Sequence, residues 1–460
     1  MCDKYRINYF ILYLYISNMK LNIINKKLLS IFLLNTGYNV VRNKRINLYR
    51  TVPLGLALKY NNILYRLGYF SYKVIPMVID YKVLNRKNNN LDKVHDRHSK
   101  TVFDICNNLG GVYVKIGQVF ACRDDIFPKI YQKRLEPLLE KAKGVKFKYI
   151  RNKIDYLINK LDYIDKIPIG IASLGQVYKA GYLDNDVVIK ILKPNVVRDT
   201  KLDLYVTNKV LQKTLPGLRK LMKDFSYITI REFNFIDEAN VTLELTDKIN
   251  IDNIYFPKVY KELSSKEVLV LEYIDGVSLL NYMKKGSIEN IGYCIYKVVE
   301  LMWYQIFELG LFSSDPHPGN FFIKDIDNEL VIVPLDFGQV GRLTRKQIEN
   351  LKQLLYALKG DNSVNILRSL DLMGFKSKNS GCEIDRLKLR YAHCMFNDYM
   401  KESMVTFSDF TKKIGWTAIP VEYMLVNKTF ITLDGLLSLC NFKESLIDLF
   451  IMFINLKKNK

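Results

Sequence analysis

The chain has 460 residues, 49% of them hydrophobic, and a formal net charge of +22, which is enough apolar material for two or three packed units. No zinc finger, RNA-binding aromatic motif or single basic helix concentrates that charge, which argues against a specific nucleic-acid role. The cysteines (Cys2, Cys106, Cys122, Cys294, Cys382, Cys394, Cys440) are scattered, odd in number and never spaced C-x-x-C, so a disulfide framework, a structural zinc site and secretion are all disfavoured.

Residues 1–90 are basic, with Asp3 the only acidic residue before Asp80. A start this poor in acid is what an organellar targeting segment shows, although Arg and Ser are sparser than such segments prefer. "YFILYLYI" near the start and "SLIDLFIMFINLKKNK" near the end fall short of the roughly 20 apolar residues that span a bilayer. Each reads as a core helix, with an amphipathic helix lying on a bilayer surface as the alternative. Residues 91–163 repeat apolar positions at helical spacing, broken at Gly110-Gly111 and again before Pro128. His95 and His98 stand one turn apart in this region. No Cys, Asp and Glu set surrounds them at ligand spacing, so a surface helix is expected and not a metal site.

After Pro168 the texture changes. "SLGQVYKAGYLDNDVVIKILK" is rich in β-branched residues, with "LDND" as the turn between two strands. A helical stretch around 225–246 follows, then the apolar strand "EVLVLEYIDG". From residue 276 to 460 helices dominate, apart from the hairpin "FFIKDIDNELVIVPLDFG" and a helix that Thr344 is placed to cap. The expected order is a helical extension (91–163), a small mixed lobe (164–275) and a large helical lobe (276–460), an α+β architecture.

Five side chains in this order carry chemistry. In "VVIKIL", Lys190 projects from the face opposite Val187 and Ile189. A lone strand lysine usually faces solvent, but protein kinases use one to hold the α- and β-phosphates and pair it with a helical glutamate. Glu238 in "FIDEAN" stands where that partner belongs. In "SSDPHPGN", Asp315 and Asn320 are separated as in a kinase catalytic loop, where Asp orients or deprotonates the acceptor hydroxyl and Asn ligates Mg²⁺. Pro316 and Pro318 restrict the backbone between them. Asp336 in "LDFG" takes the position of the second Mg²⁺ ligand. "VLVLEYIDG" falls where a hinge strand offers backbone groups to adenine, which nominates Glu272, Tyr273 and Ile274. There is no G-x-G-x-x-G, no H-R-D and no A-P-E.

At these residues the chain resembles the UbiB family, the aarF-domain-containing atypical kinases, over roughly 91–343. "VYVKIGQ" resembles the K-x-G-Q signature of that family's N-terminal extension. "PIGIASLGQVYKA" resembles its alanine-rich nucleotide loop and "VVIKILKP" its strand lysine. "EFNFIDEAN", "DPHPGN" and "LDFG" resemble its acidic and catalytic motifs. "LGGVYVKIGQ" with "HDRHS" looks closest to the mitochondrial subgroup linked to lipid homeostasis.

The resemblance implies a protein-kinase-like two-lobed fold, with a small mixed β/α N-lobe, a mainly helical C-lobe and a helical N-terminal extension that packs over the active site. It implies ATP and Mg²⁺ as ligands, with Ala172 and Ser173 in the nucleotide loop and Lys115 and Gln118 as a regulatory extension reaching toward Glu232. It also implies ATPase activity or small-molecule phosphotransfer at a membrane or lipid surface, in support of quinone or other lipid metabolism. The compartment is mitochondrial or otherwise membrane-associated by this likeness, with the cytoplasm as the alternative.

Three departures stand out: Asn234 where an acidic residue is usual, Gly170 and Ile171 where alanines are usual, and Ser313-Ser314 before the catalytic Asp where His-Ala is usual. Two other readings remain open. One is a small-molecule kinase of the aminoglycoside or choline type, against which "KIGQ" argues. The other is a nucleotide-binding pseudokinase scaffold, against which the intact Lys190, Asp315, Asn320 and Asp336 argue.

Overall fold

The structure is a computed structural model that describes residues 62–84, 91–121, 128–140, 144–214, 232–327, 329–396, 413–440 and 442–458, with Ser226, Thr229 and Ile230 between. "YFILYLYI" lies outside the described residues. The chain divides into two compact units.

The first unit gathers five labelled helices: α1 (Asn62–Leu84), α2 (Leu91–Leu109), α3 (Val112–Ala121), α4 (Lys129–Leu135) and α5 (Val196–Thr214). Gly110 and Gly111, at φ +65° and +53°, break α2 from α3 in a backbone region that L side chains enter only with strain. α3 carries the K-x-G-Q motif and approaches its neighbours through Gly117. A Cβ there would stand 2.6 Å from Leu138 Cδ1 and 2.8 Å from the Cys106 sulfur. Gln118 donates to the Leu138 carbonyl at 2.9 Å. Arg66 of α1 reaches Asp203 of α5, its Nε donating at 3.0 Å, and both side chains are buried.

The expectation of a surface helix around the two histidines needs correction. His98 is only 3% exposed, because Asp80 of α1 meets its Nε2 at 3.0 Å. His95 Nδ1 meets the Tyr81 hydroxyl at 2.8 Å. The two imidazoles serve different partners on α1 instead of converging on a shared ligand.

The second unit opens with a five-stranded antiparallel sheet in which β1 (Tyr163–Ile164), β3 (Gly175–Tyr182), β4 (Asn185–Leu192) and β5 (Val268–Glu272) follow one another and β2 (Gly170–Ile171) pairs with β3. "LDND" is a tight turn as expected: Leu183 and Asp184 both have positive φ, and Tyr182 faces Asn185 across the hairpin. Along β4, Val187, Ile189 and Ile191 point into a core with Tyr178, Val268 and Val270, against which Ile150, Ile154 and Leu157 pack. Period-two alternation therefore turns Lys190 to the opposite face. α6 (Phe235–Lys248) follows before β5.

The remainder of this unit is mainly helical: α7 (Ile288–Tyr304), α8 (Arg345–Lys359), α9 (Ser363–Leu372), α10 (Cys382–Phe396), α11 (Val421–Leu439) and α12 (Leu446–Lys458). Between α7 and α8 lie β7 (Leu311–Ser313), β8 (Phe321–Ile326), β9 (Glu329–Pro334) and β10 (Val340–Arg342). β8 pairs with β9 and with the short β6 (Val277–Ser278), and β10 pairs with β7. Thr344 caps α8 in a reciprocal box with Gln347, as its position predicts. α12 buries Leu446, Ile447, Phe450 and Ile454 in the large core, so the apolar C-terminal stretch is a core helix. No helix among the described residues is long and apolar enough to cross a membrane.

One glycine sets the entry to the catalytic loop. α7 ends in a π-turn, Gln305–Leu309, closed by Gly310 at φ +67°, which turns the chain into β7. A Cβ at Gly310 would lie 2.5 Å from the Leu343 carbonyl oxygen, backbone that cannot swing aside. Gly310→Ala should therefore destabilise the second unit by at least the roughly 1–2 kcal/mol of a left-handed alanine. A urea midpoint unchanged from wild type would contradict this account.

Candidate active site

β4 directs Lys190 toward α6 and toward the loop after β9. Its ammonium lies 2.8 Å from Glu238 Oε1 and 3.4 Å from Asp336 Oδ2. Glu238 can reach it because it stands one helical turn beyond Phe235, whose ring centroid is 5.2 Å from the same ammonium. The Lys190 side chain is 19% exposed and that of Glu238 3%. Burial alone would lower the Lys190 pKa, but Asp336 and Glu238 outweigh it and hold the ammonium above the ordinary lysine value. Burial raises the Glu238 carboxyl above the ordinary glutamate value, opposed by Lys190 and reinforced by the nearby negative Asp336. One cation thus sits between two carboxylates, a cluster with formal charge −1.

The catalytic-loop residues form the second half of the site. Pro318–Asn320 make a 3₁₀ turn in which the Asn320 side chain donates its Nδ2 to the Asp315 carbonyl at 3.0 Å. That assignment leaves the Asn320 Oδ1 as a hard oxygen donor. The Leu335 amide donates to the Asn320 carbonyl at 2.9 Å, which ties the loop to the residue before Asp336. The Gly338 amide holds Asp336 Oδ1 at 2.9 Å, and a Cβ on Gly338 would stand 3.1 Å from that oxygen and 3.4 Å from Glu238 Oε2. An amide, carboxylates and a net negative cluster suit Mg²⁺, which prefers oxygen and keeps part of its shell for water and phosphate. The residues present fit the metal.

The segment expected to be the nucleotide loop is the β2–β3 hairpin. Lys193 donates its ammonium to the Ala172 carbonyl at 2.6 Å and to the Ser173 carbonyl at 3.3 Å. Because a peptide N–H points away from the carbonyl of the same unit, this turns the Ser173 and Leu174 amides away from Lys193. At the hinge, the Glu272 amide donates to the Lys258 carbonyl at 2.9 Å and the Tyr273 amide to the Asp186 carbonyl at 3.1 Å. Among the described residues the Ile274 amide has no such acceptor. The Glu272 carboxylate accepts from the Tyr255 hydroxyl at 2.6 Å, on the side of a groove that Lys179, Lys258 and Lys324 also line.

Lys190, Glu238 and Asp336 thus meet at one point, and Asp315 and Asn320 share one loop bonded to the strand end beside it. Lys115 and Gln118 belong to the first unit and Glu232 to the second. Asn234 caps α6 without a side-chain bond, and its Oδ1 is buried with no partner. Sequence reasoning missed three contributors. Lys193 stood inside a quoted motif without a role. Gln339 and Lys428 carried no local signal: Lys428 lies on α11, yet its ammonium is 3.2 Å from Asp315 Oδ1 and 2.9 Å from Gln339 Oε1.

The segment after Asp336 is tied to α6 as well. Arg342 of β10 donates to Glu244 at 2.9 Å and Lys248 does so at 2.8 Å, and these two bonds hold the Glu244 carboxyl down at about 2.

A lysine flanked by a helical glutamate and a D-F-G aspartate, beside an Asp-x-x-x-x-Asn loop, defines a protein-kinase-like nucleotide site. Residues 141–370 match the ABC1 atypical kinase-like domain, half of the chain, and the protein belongs to that family. It is similar to the "Probable protein kinase UbiB" of Blochmanniella pennsylvanica, at 31% identity over 52% of this chain and 47% of that protein. The protein of the same name from Shewanella halifaxensis is 25% identical over 76% of this chain and 67% of its own. "Protein ACTIVITY OF BC1 COMPLEX KINASE 8, chloroplastic" of Arabidopsis thaliana is 27% identical over 66% of this chain and 41% of that protein. The chain spans between 41% and 67% of the length of these three relatives and between 51% and 61% of others from Synechocystis and Schizosaccharomyces pombe.

Removing the cation beside the buried Glu238 has a calculable consequence. Lys190→Met leaves Glu238 buried with no cation, a change that typically costs about 3–5 kcal/mol. Protonation relieves it, and the sign follows: a carboxyl raised in the folded state costs nothing below its unfolded pKa, and the penalty grows as pH climbs from there to the folded value. The variant should be closer to wild type in urea stability at pH 5 than at pH 8. Lys190→Met with Glu238→Leu should recover most of the loss. A pH-independent deficit that the double variant does not relieve would show that the pair is not coupled as described.

Proposed function

We propose that this protein is an ATP- and Mg²⁺-dependent atypical kinase or ATPase that acts at a lipid surface in support of quinone or other lipid metabolism, and that it is not a peptide kinase. The observation that carries the reading is the single ammonium of Lys190 held between Glu238 and Asp336, beside a loop that presents Asp315 and Asn320. Relatives named as probable protein kinases support the reaction class.

In this reading Lys190 grips the α- and β-phosphates, and Glu238 keeps it aimed. Asn320 and Asp336 hold Mg²⁺, which when bound neutralises charge on the phosphate oxygens. The Ala172–Ser173 loop offers amides to phosphate, and the strand ending at Glu272, through Tyr273 and Ile274, offers backbone to adenine. Asp315 orients the acceptor oxygen. As the bond from the γ-phosphorus to the leaving oxygen breaks and the bond to the acceptor oxygen forms, the acceptor's proton passes to the Asp315 carboxylate. Lys115, Gln118 and Glu232 are proposed as regulatory residues that tune turnover.

The case against a peptide substrate rests on the chain after Asp336. Thr344 already caps α8, so the segment from Asp336 to Thr344 leaves little platform for an extended peptide. The net charge of +22 favours an anionic surface, where each adjacent basic residue contributes roughly 1 kcal/mol.

The test has two stages. Mg²⁺ with ATP or ADP at about 100-fold its dissociation constant should stabilise the protein by roughly 2.7 kcal/mol. Asp336→Asn should weaken that response, whereas Asp315→Asn should keep it and lose turnover on the order of 10²-fold or more. Labelled ATP is then offered with casein, myelin basic protein or cardiolipin vesicles, and the vesicles alone should raise phosphate release. Melting that ignores nucleotide would end the proposal, and robust peptide labelling without a vesicle effect would return the chain to the peptide kinases. Equal turnover by Asp315→Asn and wild type would favour a nucleotide-binding scaffold.

A further inference from the structure

The catalytic-loop aspartate has a basic neighbour that its own motif does not supply. Lys428 of α11 brings its ammonium to 3.2 Å from Asp315 Oδ1, while the same ammonium donates to Gln339 Oε1 at 2.9 Å. Gln339 is engaged at both ends, since its carbonyl accepts from the Ser314 amide at 2.8 Å and from the Ser314 hydroxyl at 3.3 Å. The next residue of α11, Thr429, donates its hydroxyl to the Ser313 carbonyl at 3.3 Å. The two residues before Asp315 are thus fixed by α11 and by the residue that follows D-F-G.

Stability gives a poor reason for the lysine. The side chains of Lys428 and Asp315 are 41% and 40% exposed, and a half-exposed ion pair contributes only about 0–1 kcal/mol. Thr429, Ser314 and the Gln339 backbone anchor the loop without it. What Lys428 adds is a positive charge beside the carboxylate that faces the acceptor. Lys190 cannot supply that charge, because Glu238 and Asp336 already surround it.

We propose that Lys428 is a positioning residue and second cation for phosphoryl transfer. It holds the Asp315 carboxylate toward the acceptor oxygen. When Asp315 takes the acceptor's proton its negative charge is lost, and the Lys428 ammonium is left to face the oxygens of the transferred phosphoryl group. Both bonds balance: phosphorus to the leaving oxygen breaks, phosphorus to the acceptor oxygen forms, and the proton stays on Asp315. Fixed charge aimed at developing negative charge acts in the transition state and not in nucleotide binding. Lys428 lies beyond residues 141–370, outside the segment that matches the family.

This inference rests on the nucleotide-site reading, and the experiment separates the two. Dissociation constants for Mg²⁺-ADP, with and without aluminium fluoride as a mimic of the phosphoryl group in transfer, are measured for the wild-type chain, Lys428→Met and Lys428→Arg, together with kcat for ATP. All three should bind Mg²⁺-ADP within about twofold. Lys428→Met should lose on the order of tenfold or more in kcat and most of the extra affinity conferred by aluminium fluoride. Lys428→Arg should restore part of both, which a packing role would not require. Wild-type kcat and aluminium fluoride affinity in Lys428→Met would overturn the inference, as would a loss matched by equal losses in ADP affinity and melting temperature. A wild-type chain that does not bind Mg²⁺-ADP would refute the nucleotide site itself, and this inference with it.

Discussion

One part-buried ammonium ties together three elements of the second unit. Lys190 projects from the face of β4 opposite its core side chains to meet Glu238 from α6 and Asp336 from the loop after β9, at 2.8 Å and 3.4 Å. Sheet, helix and loop therefore converge on one charge, and each constrains the others. A buried ion pair is weak evidence for stability, since desolvating both groups offsets much of their attraction. What the cluster does fix is the position of one cation between two carboxylates, drawn from three separate elements. The cluster carries formal charge −1.

A second link reinforces the first. Glu244 lies on the same helix as Glu238 and is held by Arg342, just beyond D-F-G, so α6 is joined to β4 through Lys190 and to that segment through Arg342. Movement of α6 would break the Lys190 pair and the Arg342 contact together. Glu232 and Asn234 directly precede α6 in the chain, with Asn234 at its N-cap.

The fold was legible where chemistry is local. β-branched alternation marked β3 and β4, "LDND" marked their turn, and Thr344 marked the start of α8. The sites of Lys190, Asp315, Asn320 and Asp336 were legible because a kinase-like site draws them from short motifs in a set order. His98 was misread because nothing in "HDRHS" shows that Asp80 and Tyr81, on another helix, wait for the two imidazoles. Glu272 was read as a hinge residue, while its side chain turns to Tyr255 and an outer groove, an orientation set by strand pairing.

By itself, then, the sequence determined the order of elements, the polar face of β4, the rigid turn around Asp315 and the family-like set of acidic and basic residues. Each follows from backbone sterics, side-chain period or short motif spacing, all of which act over a few residues. Only the tertiary structure decided that Lys190 has two carboxylates, that Lys193 turns the nucleotide-loop carbonyls, and that Lys428 stands beside Asp315. Such contacts join residues far apart in the chain. Their energies depend on distance and burial, which no run of neighbouring residues encodes.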